Sequence, residues 1–171
     1  MSSRQASVFD VAKYVLSRHG AMTTMKLQKL CYYSQAWFAA AQGQALFSED
    51  FQAWANGPVC YPLYQEHRKR FFISESDLTV GSIASLPAET LAAIDLILDS
   101  YAPLSAAQLS ELTHSEDPWK DARQGLPSSE PAAYVIPVDS MIRYYRSLTD
   151  SNSTAVANID WPEWGLAQEA K

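Results

Sequence analysis

The stretch from Thr24 to Gly43 constrains this chain more than any other. Leu27, Leu30, Cys31, Ser34, Trp37, Phe38 and Ala41 recur at steps of three and four, the spacing of one helix face. The other side is also apolar in places, at Tyr32, Tyr33, Ala36 and Ala40. A helix that is apolar nearly all round needs neighbours on every side, so it belongs at the centre of a domain. Thr23 or Thr24 supplies the oxygen that caps its start, and Gly43 ends it. Everything else in the chain has to be read as material that wraps this helix.

The flanking sequence supplies such material. Val8 to Arg18 has helical spacing and stops before Gly20. Phe51 to Ala55 is short and aromatic and reads as a strand, closed by the turn signal Asn56-Gly57-Pro58. Pro62 suits the first position of a helix running to about Arg70, whose end collects His67, Arg68, Lys69 and Arg70 against the helix dipole. Phe71 to Ser85 reads equally as a short strand or a loop. Pro87 opens a helix carrying Leu91, Ile94, Leu98 and Tyr101, and Pro103 separates it from the next. Ser105 and Gln108 form a capping box with Leu104 and Leu109 at the staple positions. Asp117-Pro118 opens a short helix by the same logic. Tyr134-Val135-Ile136 predicts a second strand that pairs with Phe51 to Ala55, and Pro137 opens a last helix with Met141, Ile142, Tyr145 and Leu148 on one face. The prediction is a mainly helical α+β fold with a minor short antiparallel β element. It forms a single compact domain over residues 1–148, followed by a polar tail at 149–171 that contains Trp161 and Trp164. Those tryptophans imply that the tail docks back on the body or meets a partner.

Composition narrows the function. At 171 residues and 47% hydrophobic content the chain is long enough for one well-filled core. The 13 Lys and Arg against 19 Asp and Glu give a net charge of -6, which argues against duplex DNA as the main partner. Cys31 and Cys60 form no C-x-x-C pair, so zinc and thiol-disulfide chemistry have no support, and Cys31 reads as a small buried apolar residue. No window approaches the roughly 18 apolar residues of a membrane span, and Met1 to Asp10 has no signal pattern, so the expected compartment is the cytoplasm.

No catalytic set stands out. His19, His67 and His114 are scattered, without metal-ligand spacing. There is no G-x-S-x-G, P-loop, G-x-G-x-x-G or H-E-x-x-H. His114, Glu116 and Asp117 could be an acid/base cluster, but His114 and Asp117 capping adjacent helices is the simpler account. The expectation is therefore no enzyme, no metal and no cofactor. Lys26 and Lys29 lie three apart on one helix face. They form either a basic spot for an acidic partner or a solvated flank of the Leu27/Leu30 stripe. Arg68 to Arg70 is a second basic spot. The many tyrosines and tryptophans suit either core packing or a protein interface.

Lys26-Leu27-Gln28-Lys29-Leu30 followed by Tyr32-Tyr33 and Trp37 resembles the opening helix of the Panacea (SocA-like) antitoxin domain. Phe51 to Val59, with Trp54 and Gly57-Pro58-Val59, is similar to that family's aromatic strand running into Gly-Pro-Val. Pro62-Leu63-Tyr64 matches its Pro-x-Tyr element. Leu109 to His114, with Thr113, and then Pro118-Trp119, match its Leu-Ser-x-Leu-Thr-His and Pro-Trp. The resemblance spans about Val8 to Leu148. It implies a predominantly helical antitoxin, usually encoded beside its toxin and often carried by phages. Such an antitoxin neutralises the toxin in a direct complex or, in one branch, delivers it to a protease.

Read physically, the shared residues are fold-makers. Gly57 and Pro58 fix a tight turn, Trp54 and Trp119 pack on the core helix, and His114 and Pro118 shape a corner. Partner choice then falls to exposed positions, with Lys26, Lys29, Tyr33 and Arg68 as the expected toxin-contacting patch. The competing functions are a DNA-binding autoregulator, disfavoured by the acidic charge balance, and an enzyme built on His114.

Overall fold

Seven helices and five short strands are present among the described residues, 5–151 of the computed structural model. Helix α1 (Val8–His19) is followed by β1 (Met22–Thr23) and the long α2 (Thr24–Gln42). Strands β2 (Phe51–Trp54) and β3 (Gly57–Cys60) form a hairpin that leads into α3 (Tyr61–His67) and β4 (Phe72–Ile73). After two 3-10 turns come α4 (Ala88–Tyr101), α5 (Ala106–His114) and α6 (Asp117–Arg123). Strand β5 (Val135–Ile136) and α7 (Val138–Ser151) are the last elements of the described residues.

Helix α2 is the axis of the fold. It packs against α7, α4, α1 and α5 and also carries the β2–β3 hairpin on one flank. Leu27, Leu30, Cys31, Tyr32, Tyr33, Ala36 and Trp37 are all buried, as the apolar pattern predicts. Thr23 caps the helix through a bond from the Lys26 backbone N–H, and Gly43 closes it in the left-handed conformation. Polar residues on the same helix are buried too, and each holds backbone. Gln35 donates to Phe47 O at 2.8 Å and accepts from Leu46 N at 2.7 Å, which fastens the chain after α2 to the core. At the other side, α1 opens on a capping box between Ser7 and Asp10. The buried Asp10 carboxylate also accepts from Ser82 N at 2.7 Å, tying a loop 72 residues away to the first helix.

Strands β3, β2 and β5 form one antiparallel sheet in that order, with Phe51 opposite Ile136 as expected from Tyr134 to Ile136. The hairpin itself departs from expectation. Gly57 and Pro58 are the first residues of β3, and the two-residue turn is Ala55-Asn56. Proline is tolerated there because β3 is an edge strand. A second sheet pairs β1 with β4, Thr23 opposite Phe72, and resolves the ambiguity of Phe71 to Ser85. Helix α3 ends at His67 rather than near Arg70, so Arg68, Lys69 and Arg70 lie beyond it, with Lys69 at φ 78. The cap of α6 is Glu116, not Asp117, which is already the first helical residue. The capping box at Ser105 and Gln108 forms as predicted. Helix α7 continues to Ser151, past the expected boundary at Thr149. Trp161 and Trp164 lie outside the described residues.

Candidate functional site

The first half of α2, the β2–β3 hairpin, α3 and the segment at Pro131 and Ala132 enclose a cleft of about 320 Å³. Five of the resemblance residues, Gln28, Lys29, Trp54, Val59 and Tyr64, line it. Gln28 sits at the floor and behaves like an added strand. Its Oε1 accepts from Cys60 N at 2.8 Å while its Nε2 donates to Cys60 O at 3.2 Å. That pairing fixes the amide orientation. The second Nε2 hydrogen therefore donates to His67 Nε2 at 2.9 Å, which makes this nitrogen the unprotonated one. His67 is buried, and its pKa lies below the ordinary histidine value because burial disfavours the charged ring, with Lys29 adding repulsion.

Lys29 is 1% exposed and forms part of the cleft wall. Its ammonium donates to Pro58 O at 3.2 Å, and this is its one hydrogen bond among the described residues. Burial alone pulls its pKa down to about 7. The fold makes room for it at Gly57. A Cβ there would stand 2.5 Å from Lys29 Cε and 2.9 Å from Thr113 Oγ1, and the φ of +114 disfavours any side chain. Glycine is thus required at Gly57 both by the backbone and by the lysine stem that passes against it.

The outer wall is aromatic. Trp54 meets Tyr64 edge-on at 5.0 Å between centroids, and Tyr61 stacks near Tyr64 at 6.0 Å. Trp54 therefore packs on α3, where the sequence suggested the core helix. Behind the hairpin, Trp119 stacks on His114 at 4.1 Å and donates from Nε1 to Trp54 O at 2.8 Å. Arg123 lies over the Trp119 ring at 4.9 Å and donates to Ala53 O at 2.8 Å and to Pro127 O at 2.8 Å. It also donates to Glu130 O, so one buried guanidinium ties β2 to the loop that shapes the cleft rim.

The expected patch of Lys26, Lys29, Tyr33 and Arg68 is not one exposed surface. Lys29 and Tyr33 are interior, and the Lys26 ammonium is engaged with Ala102 O at 2.6 Å. Arg68 is exposed. The scaffold residues fare differently. Leu27, Gln28, Leu30, Gly57, Pro58, Val59, Thr113, Pro118 and Trp119 are buried, while Trp54, Pro62, Tyr64 and His114 are partly so. His114 ends α5 with its ring bonded to the Ala55 backbone, and it does not cap α6. No hydrogen bond joins it to Glu116 or Asp117, so the acid/base cluster does not assemble.

Glu116 carries a role that sequence reasoning missed. Its Oε1 accepts from Tyr33 Oη at 2.7 Å and from Tyr145 Oη at 2.8 Å, and Tyr145 Oη lies 3.1 Å from Tyr32 Oη. Nearby, Trp37 Nε1 donates to Tyr101 Oη at 2.8 Å, and Tyr101 stacks on Tyr33 at 3.8 Å. One carboxyl group thus links α2 and α7 at the α5–α6 corner. Burial raises its pKa to about 7, and the two hydroxyl bonds offset only part of that shift. The sequence signal was faint: an acid directly before Asp117-Pro118, and tyrosines on faces of α2 and α7 that both turn inward.

Among the described residues there is no grouping of His, Cys, Asp and Glu that could hold a metal ion, and no helix long and apolar enough to cross a membrane. A family model described as antitoxin SocA-like, Panacea domain, matches residues 27–120, more than half of the chain. Neither the curated proteins nor the solved structures contain a match.

Proposed function

The chain belongs to the SocA-like Panacea antitoxin family, and from that premise we propose that it neutralises a toxin protein by binding it directly, with no catalysis of its own. Most of the motif residues are buried. Gln28 holds β3 to α2 and Trp119 holds β2 to α6, which leaves recognition of a protein partner to the surface. The observation that carries the reading is an apolar, basic-edged face beside the cleft. Phe71 is 80% exposed and Phe72 53%, on consecutive positions, although both would gain from burial. Backbone bonds from Thr24 N to Phe71 O at 3.0 Å set them against the start of α2, where Met25 is also exposed. Arg68 and Lys69 border the same segment. Aromatic anchors edged by guanidinium and ammonium groups are the composition of an interface core and rim. In the overall acidic chain this is a local site for a partner with an apolar pocket and an acidic margin. The proposed partner is a toxin encoded by a neighbouring gene, acting in the cytoplasm.

The test is co-expression with the neighbouring gene product. That product alone should stop growth, the pair should restore it, and the two chains should co-purify. A harmless neighbour would sink the reading. Rescue without a stable complex would replace direct blocking with delivery to a protease.

A further inference from the structure

We propose that the cleft beneath the hairpin is a binding site for an aromatic carboxylate, its ring lying against Trp54 and Tyr64 and its acid group accepting from the Lys29 ammonium. This inference stands on the cleft itself and does not depend on the antitoxin reading. The cleft is the size of a small-ligand site, about 320 Å³, open at the mouth beside Met25. Its walls are apolar and aromatic, and the residues that line it include a lysine and a histidine but no aspartate or glutamate, in a chain of net charge -6. The lining therefore holds no carboxylate that would repel an anion, and Lys29 is the group that can pair with one.

Lys29 is the decisive group. It is almost wholly buried, with three donors as an ammonium and one acceptor, Pro58 O. Buried ammonium groups are normally paired, and two unfilled donors beside a cavity leave room for a carboxylate to fill them. The groups facing Lys29 are His67 and His114, both of which its charge repels, together with the Thr113 hydroxyl near Gly57. None of them neutralises it. Gln28 cannot, because its amide is consumed by Cys60 and His67. Binding of a carboxylate should therefore draw a proton onto Lys29 when the solution is above about pH 7. The carboxylate could be that of a free small acid or the chain end of a partner polypeptide, and the experiment separates these sources.

Titration calorimetry at pH 8, run in two buffers of different ionisation enthalpy, would use indole-3-acetate and acetyl-Gly-Gly-Gly-Phe with a free carboxylate. Their uncharged amides serve as controls. At least one carboxylate should bind with uptake approaching one proton per site and should shift the Trp54 indole N–H resonance. Its amide should bind at least tenfold more weakly. Tighter binding of indole-3-acetate assigns the site to a free acid, and tighter binding of the peptide assigns it to a chain end. Lys29→Met, which removes a buried charge and so should still fold, should abolish the proton uptake and weaken binding at least tenfold. Failure of both carboxylates to bind, equal binding of acid and amide, or unchanged binding by Lys29→Met would each overturn the proposal.

Discussion

Glu116→Gln should leave stability nearly unchanged near pH 4.5 and make the protein more stable than wild type at pH 8, by about 3 kcal/mol. The argument rests on which oxygen does the bonding. Both Tyr33 and Tyr145 donate to Oε1, so a protonated Glu116, with its proton on the other oxygen, satisfies the same geometry as a glutamine amide. The pKa of Glu116 is raised from 4.5 to about 7 in the fold. Between those values the folded chain keeps a proton that the unfolded chain has released. Stability from this group is complete below about pH 4.5 and is lost as the pH rises through about 7. Glutamine cannot ionise, so the variant lacks this loss. Urea unfolding of both proteins at pH 4.5, 6 and 8 reads the difference directly. Parallel pH profiles would mean that the carboxyl is not buried as described.

Lys29→Met should show the opposite slope. Lys29 has its pKa lowered from 10.5 to about 7, so between those values the unfolded chain carries a proton that the folded chain lacks. Wild-type stability therefore rises with pH across that window, and the stability is lost as the pH falls through about 7. The full swing is about 5 kcal/mol. Methionine follows much of the same path through the core but carries no charge and leaves Pro58 O without its donor, a cost of about 1 kcal/mol. The variant should be a few kcal/mol more stable than wild type at pH 6, an advantage that disappears by about pH 10. A lysine that destabilises its own fold at neutral pH and borders a cleft fits a group kept for binding rather than for packing. A variant less stable than wild type at every pH would show instead that the Pro58 bond dominates.

These two residues also mark what could be read from the sequence and what could not. The centrality of α2 was legible because Leu27 through Ala41 left no polar face for solvent. The Ser105 cap and the pairing of Phe51 with Ile136 were legible because their signals are local or periodic. Lys29 was misread because its three-residue spacing from Lys26 implies a shared face, whereas the rotation between them takes Lys29 under the hairpin and leaves Lys26 at Ala102. Gly57-Pro58 looked like a turn because those residue types usually make one. Here the turn is one step earlier, and glycine serves the close passage of the Lys29 stem. Strands β1 and β4 are two residues each, too short for any alternation to appear. Glu116 and Arg123 meet their partners across 83 and 70 positions, distances over which no local pattern carries information.

The separation of an inward-facing motif set from an outward-facing recognition surface is the centre of this account. Arg68 is the one member of the expected contact patch that lies at that surface without engagement in the core.

The most direct test is the affinity of the purified protein for the proposed toxin, the neighbouring gene product, compared between wild type and Phe71→Asp. Phe71 is 80% exposed, so the substitution should change stability by less than about 0.5 kcal/mol. An acidic side chain at the centre of the proposed face should nevertheless weaken binding at least a hundredfold and abolish growth rescue, about 3 kcal/mol of lost affinity. Undiminished affinity and full rescue by Phe71→Asp would contradict the account and place the toxin elsewhere on the molecule.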